Sequence, residues 1–106
     1  MKADELMVND WVILGSEKFR VGTILRGGNY SALRPIPLTP EILEKNGFKD
    51  EGYFARLDVG EYHILCDTKN VAILHREHTN IDVPIYYVHE LQHALRLCKI
   101  EKVIVL

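Results

Sequence analysis

The stretch HELQH, residues 89–93, sets two histidines four positions apart with a glutamate directly after the first. On a helix that spacing puts both imidazoles on one face. Zinc-dependent hydrolases use it to hold a metal while the glutamate takes a proton from the bound water. His89 and His93 are therefore the candidate metal ligands, and Glu90 the candidate catalytic base. The chemistry needs more than the spelling, because a catalytic zinc takes a third protein ligand and keeps its fourth position for water. In the extended metalloprotease pattern the downstream glycine and histidine fall on Arg96 and Lys99, which serve neither role. Glu101 is the one side-chain carboxylate downstream, and the eight residues from His93 leave little chain to turn back onto the helix. His75 and His78 lie upstream with no spacing that requires them nearby.

The element that must carry these residues is a C-terminal helix, expected from about Val83 to Lys99 and started by Asn80 or Asp82 after the polar break HREHTNIDVP. At 100° per residue, Tyr87, Val88, Leu91, Ala94, Leu95 and Cys98 share one arc, the face that packs on a sheet. His89, Gln92, His93 and Arg96 share the opposite arc. That arc is expected to face solvent unless another element covers it, whereas ligands of a catalytic metal stand in a cleft. The preferred reading therefore assigns no catalytic residue, no metal ligand and no cofactor.

Upstream, the apolar alternation in DWVILGSEKFRVGTIL predicts a β-hairpin of Trp11–Leu14 with Phe19–Leu25, and Arg26-Gly27-Gly28-Asn29 reads as a plain turn. PIPLTPEILEKNGF is the most legible stretch. Pro35 and Pro37 force an extended approach, Thr39 caps, Pro40 suits the first helical position and Gly47 a left-handed C-terminal one, so a helix of about 7 residues follows. Leu38 with Leu43 forms a hydrophobic staple, and Phe48 folds back on the last turn. Tyr53–Asp58, Tyr62–Asp67 and Val71–Glu77, joined by short turn-rich links, predict a three-stranded meander. The final Val103-Ile104-Val105-Leu106 suits an edge strand or pairing with a second copy of the chain.

Composition bounds the function. With 106 residues, 47% apolar and 26% charged, the chain reads as one globular domain spanning residues 1–106. A formal charge of −2 gives no global basic field for nucleic acid, and the densest basic set, Lys18, Arg20, Arg26 and Arg34, is interleaved with Glu17. Cys66 and Cys98 sit in apolar periodic segments and read as reduced core residues. MKADELMVND lacks the apolar run of a signal peptide, and no run of about 18 apolar residues occurs. The expected location is cytoplasmic, with no membrane contact.

The blocks NDWVILGSEKFRV, PIPLTPEILEKNGF and YYVHELQHAL carry a further reading. Through them the chain resembles, over most of its length, a family of small proteins from gut anaerobes and their phages or mobile elements. The proline-led helix and the YVH-x-LQ block are the most specific parts. The matching positions here are Tyr87, Val88, His89, Leu91 and Gln92, whereas relatives place amides where Glu90 and His93 stand. The resemblance thus implies a setting rather than a mechanism and counts against zinc catalysis. It leaves His89 and Gln92 as the residues of interest, a structural hydrogen-bond pair between helix and loop or part of a binding surface.

The expected fold is α+β: a mainly antiparallel sheet of five or six strands, able to coil into a partial barrel, with the C-terminal helix on one face and the short proline-led helix at an edge. The expected function is a non-enzymatic accessory or interaction module of phage or mobile-element type. Its partner is a protein or, second, nucleic acid. The competing reading is a minimal zinc-dependent hydrolase that binds metal through His89 and His93 and activates water with Glu90. Sequence sets no oligomeric state.

Overall fold

The structure, a computed structural model, describes residues 1, 5–22, 30–67, 69–76 and 78–106. The expected turn at residues 26–29, Arg26 of the basic set and the end of the second predicted strand lie outside them.

β1 (Trp11–Leu14) turns through Gly15-Ser16 into β2 (Glu17–Arg20). Gly15 has φ 63° at the first central position, as a two-residue hairpin turn of type II′ requires. β3 (Leu33–Pro35) pairs on the other side of β1, giving an antiparallel three-stranded sheet of order β2-β1-β3. Trp11 and Ile13 pack against the main apolar core, while Val12 joins Leu6 and Val21 in a smaller cluster that Met1, Tyr30 and Leu33 help cover.

α1 (Pro40–Lys45) follows as the capping residues require. Ile42 N donates to the Thr39 Oγ1 at 3.3 Å. At the other end Gly47, with φ 89°, donates to Glu44 O, and Phe48 N donates to Leu43 O at 3.0 Å. That pair of bonds is the Schellman closure, and it delivers Phe48 to the core beside Leu43.

β4 (Lys49–Asp50), β5 (Ala55–Val59), β6 (Tyr62–Cys66), β7 (Asn70–His75) and β8 (His78–Pro84) form a second antiparallel sheet in sequence order. The α+β architecture holds, with the strands among the described residues divided between two open sheets and no closed barrel. Registers Leu57↔Ile64, Ile64↔Ile73 and Ile73↔Ile81 place one apolar row on the core face. α2 (Val88–Leu97) packs on that face through Val88, Leu91, Ala94 and Leu95. The opposite face carries Arg56, Leu65, Ala72 and Asp82 in one row and Asp58, His63 and Leu74 in the next.

Two expected segments take another form in the structure. Residues 78–84, expected as a polar break and helix start, are a strand. Ile81 and Val83 pair with Ile73 and Val71 on the core face, a bulge at Ile73/Leu74 shifts Thr79 onto Leu74 of the opposite face, and helical backbone is disfavoured before Pro84, so the segment pairs with β7 and α2 starts only at Val88. The C-terminal run is no edge strand. Its backbone groups are taken by side chains: Asn46 Nδ2 donates to Val105 O and Val105 N donates to Asn46 Oδ1, each at 2.8 Å, and Trp11 Nε1 donates to Ile104 O at 2.7 Å.

Candidate functional site

The starts of the two helices are tied together. Leu38 N donates to Tyr86 O at 2.9 Å and Val88 N to Ile36 O at 2.8 Å, a short antiparallel bridge around Pro37 and Tyr87. Pro37 contributes no donor and loses nothing there. The bridge sets the direction of α2, and with it the HELQH face.

That face is covered, contrary to the solvent exposure expected of it. The segment Met7–Trp11 crosses it, and four of the five HELQH residues, with Arg96 a turn further on, meet structural partners. Glu90 Oε1 accepts from Tyr86 N at 2.8 Å and Tyr87 N at 3.0 Å, which satisfies donors at the helix start. The carboxylate proposed as a general base is thus an N-terminal cap. Leu91 is in the core. Gln92, 7% exposed, reaches the N-terminal segment with both ends of its amide. Its Oε1 accepts from Trp11 N and its Nε2 donates to Asn9 O, both at 2.9 Å.

Asp10 is the centre of the arrangement, with no solvent exposure. Its Oδ2 accepts from His93 Nε2 at 2.6 Å and Met7 N at 2.8 Å, and its Oδ1 from Arg96 Nη1 at 2.7 Å. Burial alone would push this carboxyl upward; the hydrogen bonds from His93, Met7 N–H and Arg96 outweigh it and hold the group below its ordinary value. Asp10 O also accepts from Val21 N, so the residue joins α2, the N-terminal turn and the chain just past β2. Nothing in its sequence neighbourhood marks it. The signal available was the i, i+3 pair His93 and Arg96, two nitrogen-rich donors on one helical face that must find an anion if that face is covered.

His89 is different. It is 7% exposed, its ring stacks on Tyr87 with centroids 5.9 Å apart, and it meets His93 edge-on at 5.4 Å. Its buried Nδ1 has no hydrogen-bond partner. Burial, with His93 adding to it, pushes its pKa down against the opposing pull of Asp10, Glu90 and Glu5, so the ring stays neutral. Of the helix-to-loop pair expected from the sequence, Gln92 makes its bonds to the Asn9–Trp11 segment, whereas His89 stacks on Tyr87 with its Nδ1 unpartnered.

As a metal centre the constellation is incomplete. His89 and His93 are neighbours, but His93 Nε2 is on Asp10 and Glu90 faces the helix start. Among the described residues no group of three or more His, Cys, Asp and Glu side chains could hold a metal ion. Of the other histidines, two have carboxylate partners: His63 Nδ1 lies 2.7 Å from Asp58 Oδ1, and His75 Nε2 lies 3.2 Å from Glu61 Oε2. Both cysteines are free and buried, and burial raises both thiols, that of Cys66 to about 12. Of the basic set, Lys18, Arg20 and Arg34 lie in β2 and β3, and Arg20 sits over the Trp11 ring at 5.0 Å. No helix among the described residues is long and apolar enough to cross a membrane.

The fold and site together define an antiparallel α+β protein whose HExxH helix is clamped by a buried aspartate. No protein-family model, curated protein or solved structure matches the chain.

Proposed function

We propose that the chain is a non-enzymatic, protein-binding accessory module, cytoplasmic and of the phage or mobile-element type its sequence resembles. The observation that carries the reading is the outer face of the five-stranded sheet. Leu65, Ala72 and Leu74 meet there in adjacent rows, outside both apolar clusters, framed by Arg56, Asp58, His63 and Asp82. An apolar centre within a polar rim is the anatomy of a protein interface. Beside it β8 forms one edge of the sheet, and its largely exposed residues leave a strand for a partner chain to extend. The commitment of Glu90, Gln92 and His93 to capping and clamping supports the same reading over the zinc hydrolase.

A photo-crosslinking amino acid placed at position 74 tests it in cells, with position 18 in the exposed strand β2 as control. The expected result is one discrete protein adduct from position 74 that disappears with Leu65→Glu. Adducts equal at both positions would sink the interface. Metal analysis of tag-free protein separates the hydrolase: stoichiometric zinc that is lost with His93→Asn would establish that reading instead.

A further inference from the structure

On the core side of the same sheet, away from the outer face, α1 and the β4–β5 connection stand apart and leave a groove of about 680 Å³. That is within the usual size range of binding clefts. Its floor is apolar, formed by Leu43, Phe48 and Cys66. The Cys66 thiol is fully buried and stays protonated, so the floor offers packing and no nucleophile. The rim is strongly one-signed. Glu44, Asp50 and Asp67 line it against Lys49 alone, Asp67 through a carboxylate whose Oδ1 accepts from Lys69 N and Asn70 N, in a chain whose whole formal charge is −2.

The lip is built, not loose. Glu51 N donates to Phe54 O at 2.8 Å, Gly52 N donates to Asp50 Oδ1 at 2.8 Å, and Gly52 has φ 99°, a conformation that favours glycine. This turn presents Tyr53 at 95% exposure beside Phe54. A tyrosine so exposed contributes almost nothing to folding, yet its ring face attracts cations and its flat surface suits an interface.

We propose that this groove binds an arginine or lysine side chain of a partner polypeptide. The aliphatic stem lies on the Leu43–Phe48 floor, the cationic head meets the carboxylates of Glu44, Asp50 and Asp67, and the Tyr53 ring packs on it. Charge complementarity selects the occupant: an acidic peptide would meet three carboxylates, and a purely apolar one would desolvate them without a partner. The groove stands or falls separately from the outer sheet face, because no residue is shared between them.

The test is a titration of the isotope-labelled full chain with acetyl-Leu-Arg-Leu-amide, followed by amide NMR. Saturable shifts are expected at Glu44, residues 49–55 and Asp67, weakening with salt, while acetyl-Leu-Glu-Leu-amide leaves these amides in place. Tyr53→Ala, which removes an exposed side chain and leaves the core intact, is expected to weaken binding about tenfold. Glu44→Gln, on the outside of α1, should weaken it several-fold. Equal shifts with both peptides, shifts confined to other parts of the chain, or indifference to Tyr53→Ala would overturn the proposal. Agmatine binding as tightly as the arginine peptide would also overturn it, assigning the groove to a small cation.

Discussion

Replacing Asp10 by alanine removes the anion on which two cationic-type donors and a backbone N–H converge. Its carboxylate accepts three hydrogen bonds, from His93, Arg96 and Met7, at 2.6–2.8 Å. A hydrogen bond to a charged group contributes about 1.5–3 kcal/mol. The full sum does not apply, because the His93 and Arg96 side chains are 29% and 30% exposed and regain water once the anion is gone. Removing one member of a buried ion pair typically costs about 3–5 kcal/mol, and this partial resolvation puts Asp10→Ala at the lower end, about 3 kcal/mol. In urea, with a slope of about 1.5 kcal/mol per molar, the unfolding midpoint should fall by about 2 M. A fall of less than about 0.5 M would mean that water serves His93 and Arg96 as well as the carboxylate does, and that the clamp adds no such stability. A double-mutant cycle of Asp10→Ala with Arg96→Met isolates the pair and should show a coupling above about 1 kcal/mol.

Acidification should act in two stages. The folded state lowers the His89 pKa, so below about 6.5 the unfolded chain takes up a proton the native ring resists, and stability falls. Asp10, also lowered, contributes stability that is present above about 3.9 and lost as pH falls through its folded value. Thermal melts across pH should show the first decline shrink in His89→Phe and the second shrink in Asp10→Asn, with Asp58 and Glu61, also lowered by their partners, carrying the remainder. Gln92→Leu leaves Trp11 N–H and Asn9 C=O without partners and should cost about 2 kcal/mol, with hydrogen exchange at Trp11 accelerating well beyond the global change. Lys99 ends α2 at φ 58° in a Schellman closure, with Lys99 N on Arg96 O and Ile100 N on Leu95 O, so Lys99→Gly should stabilise by about 0.5–1 kcal/mol and raise the melting temperature. Glu90→Gln keeps an oxygen for Tyr86 and Tyr87 and should change stability by less than about 0.5 kcal/mol, whereas Glu90→Ala should cost about 1 kcal/mol by urea denaturation.

What the sequence made legible was local. Thr39-Pro40 and Asn46-Gly47 specify both ends of α1 through dihedral preference and capping alone, with no need of distant partners. The meander followed from turn residues between apolar runs. β8 was obscured because its core-face positions are only Ile81 and Val83 among strongly polar residues, and a bulge breaks the period of two before Thr79. The cover over HELQH was beyond local reading: Asp10 and His93 are 83 positions apart, and one aspartate among many gives no local sign that it will be buried.

The HExxH spelling and the clamp draw on the same helical geometry, which is why one resembles the other. Residues three and four apart on a helix present their side chains to one neighbour. A metal makes one use of that alignment and a buried carboxylate another. Here His93 and Arg96, three apart, converge on Asp10, while His89, four before His93, is left against Tyr87 with an orphaned nitrogen. Glu90 sits at the third helical position, where a glutamate reaches back to the helix start by the shortest path. For the motif to hold zinc, His93 would need a nitrogen turned to the metal while Asp10 kept the other, and a third ligand would have to enter where Met7–Trp11 now crosses. The residues that give the sequence its enzymatic appearance therefore hold that crossing segment in place, and metal binding would compete with the fold they maintain.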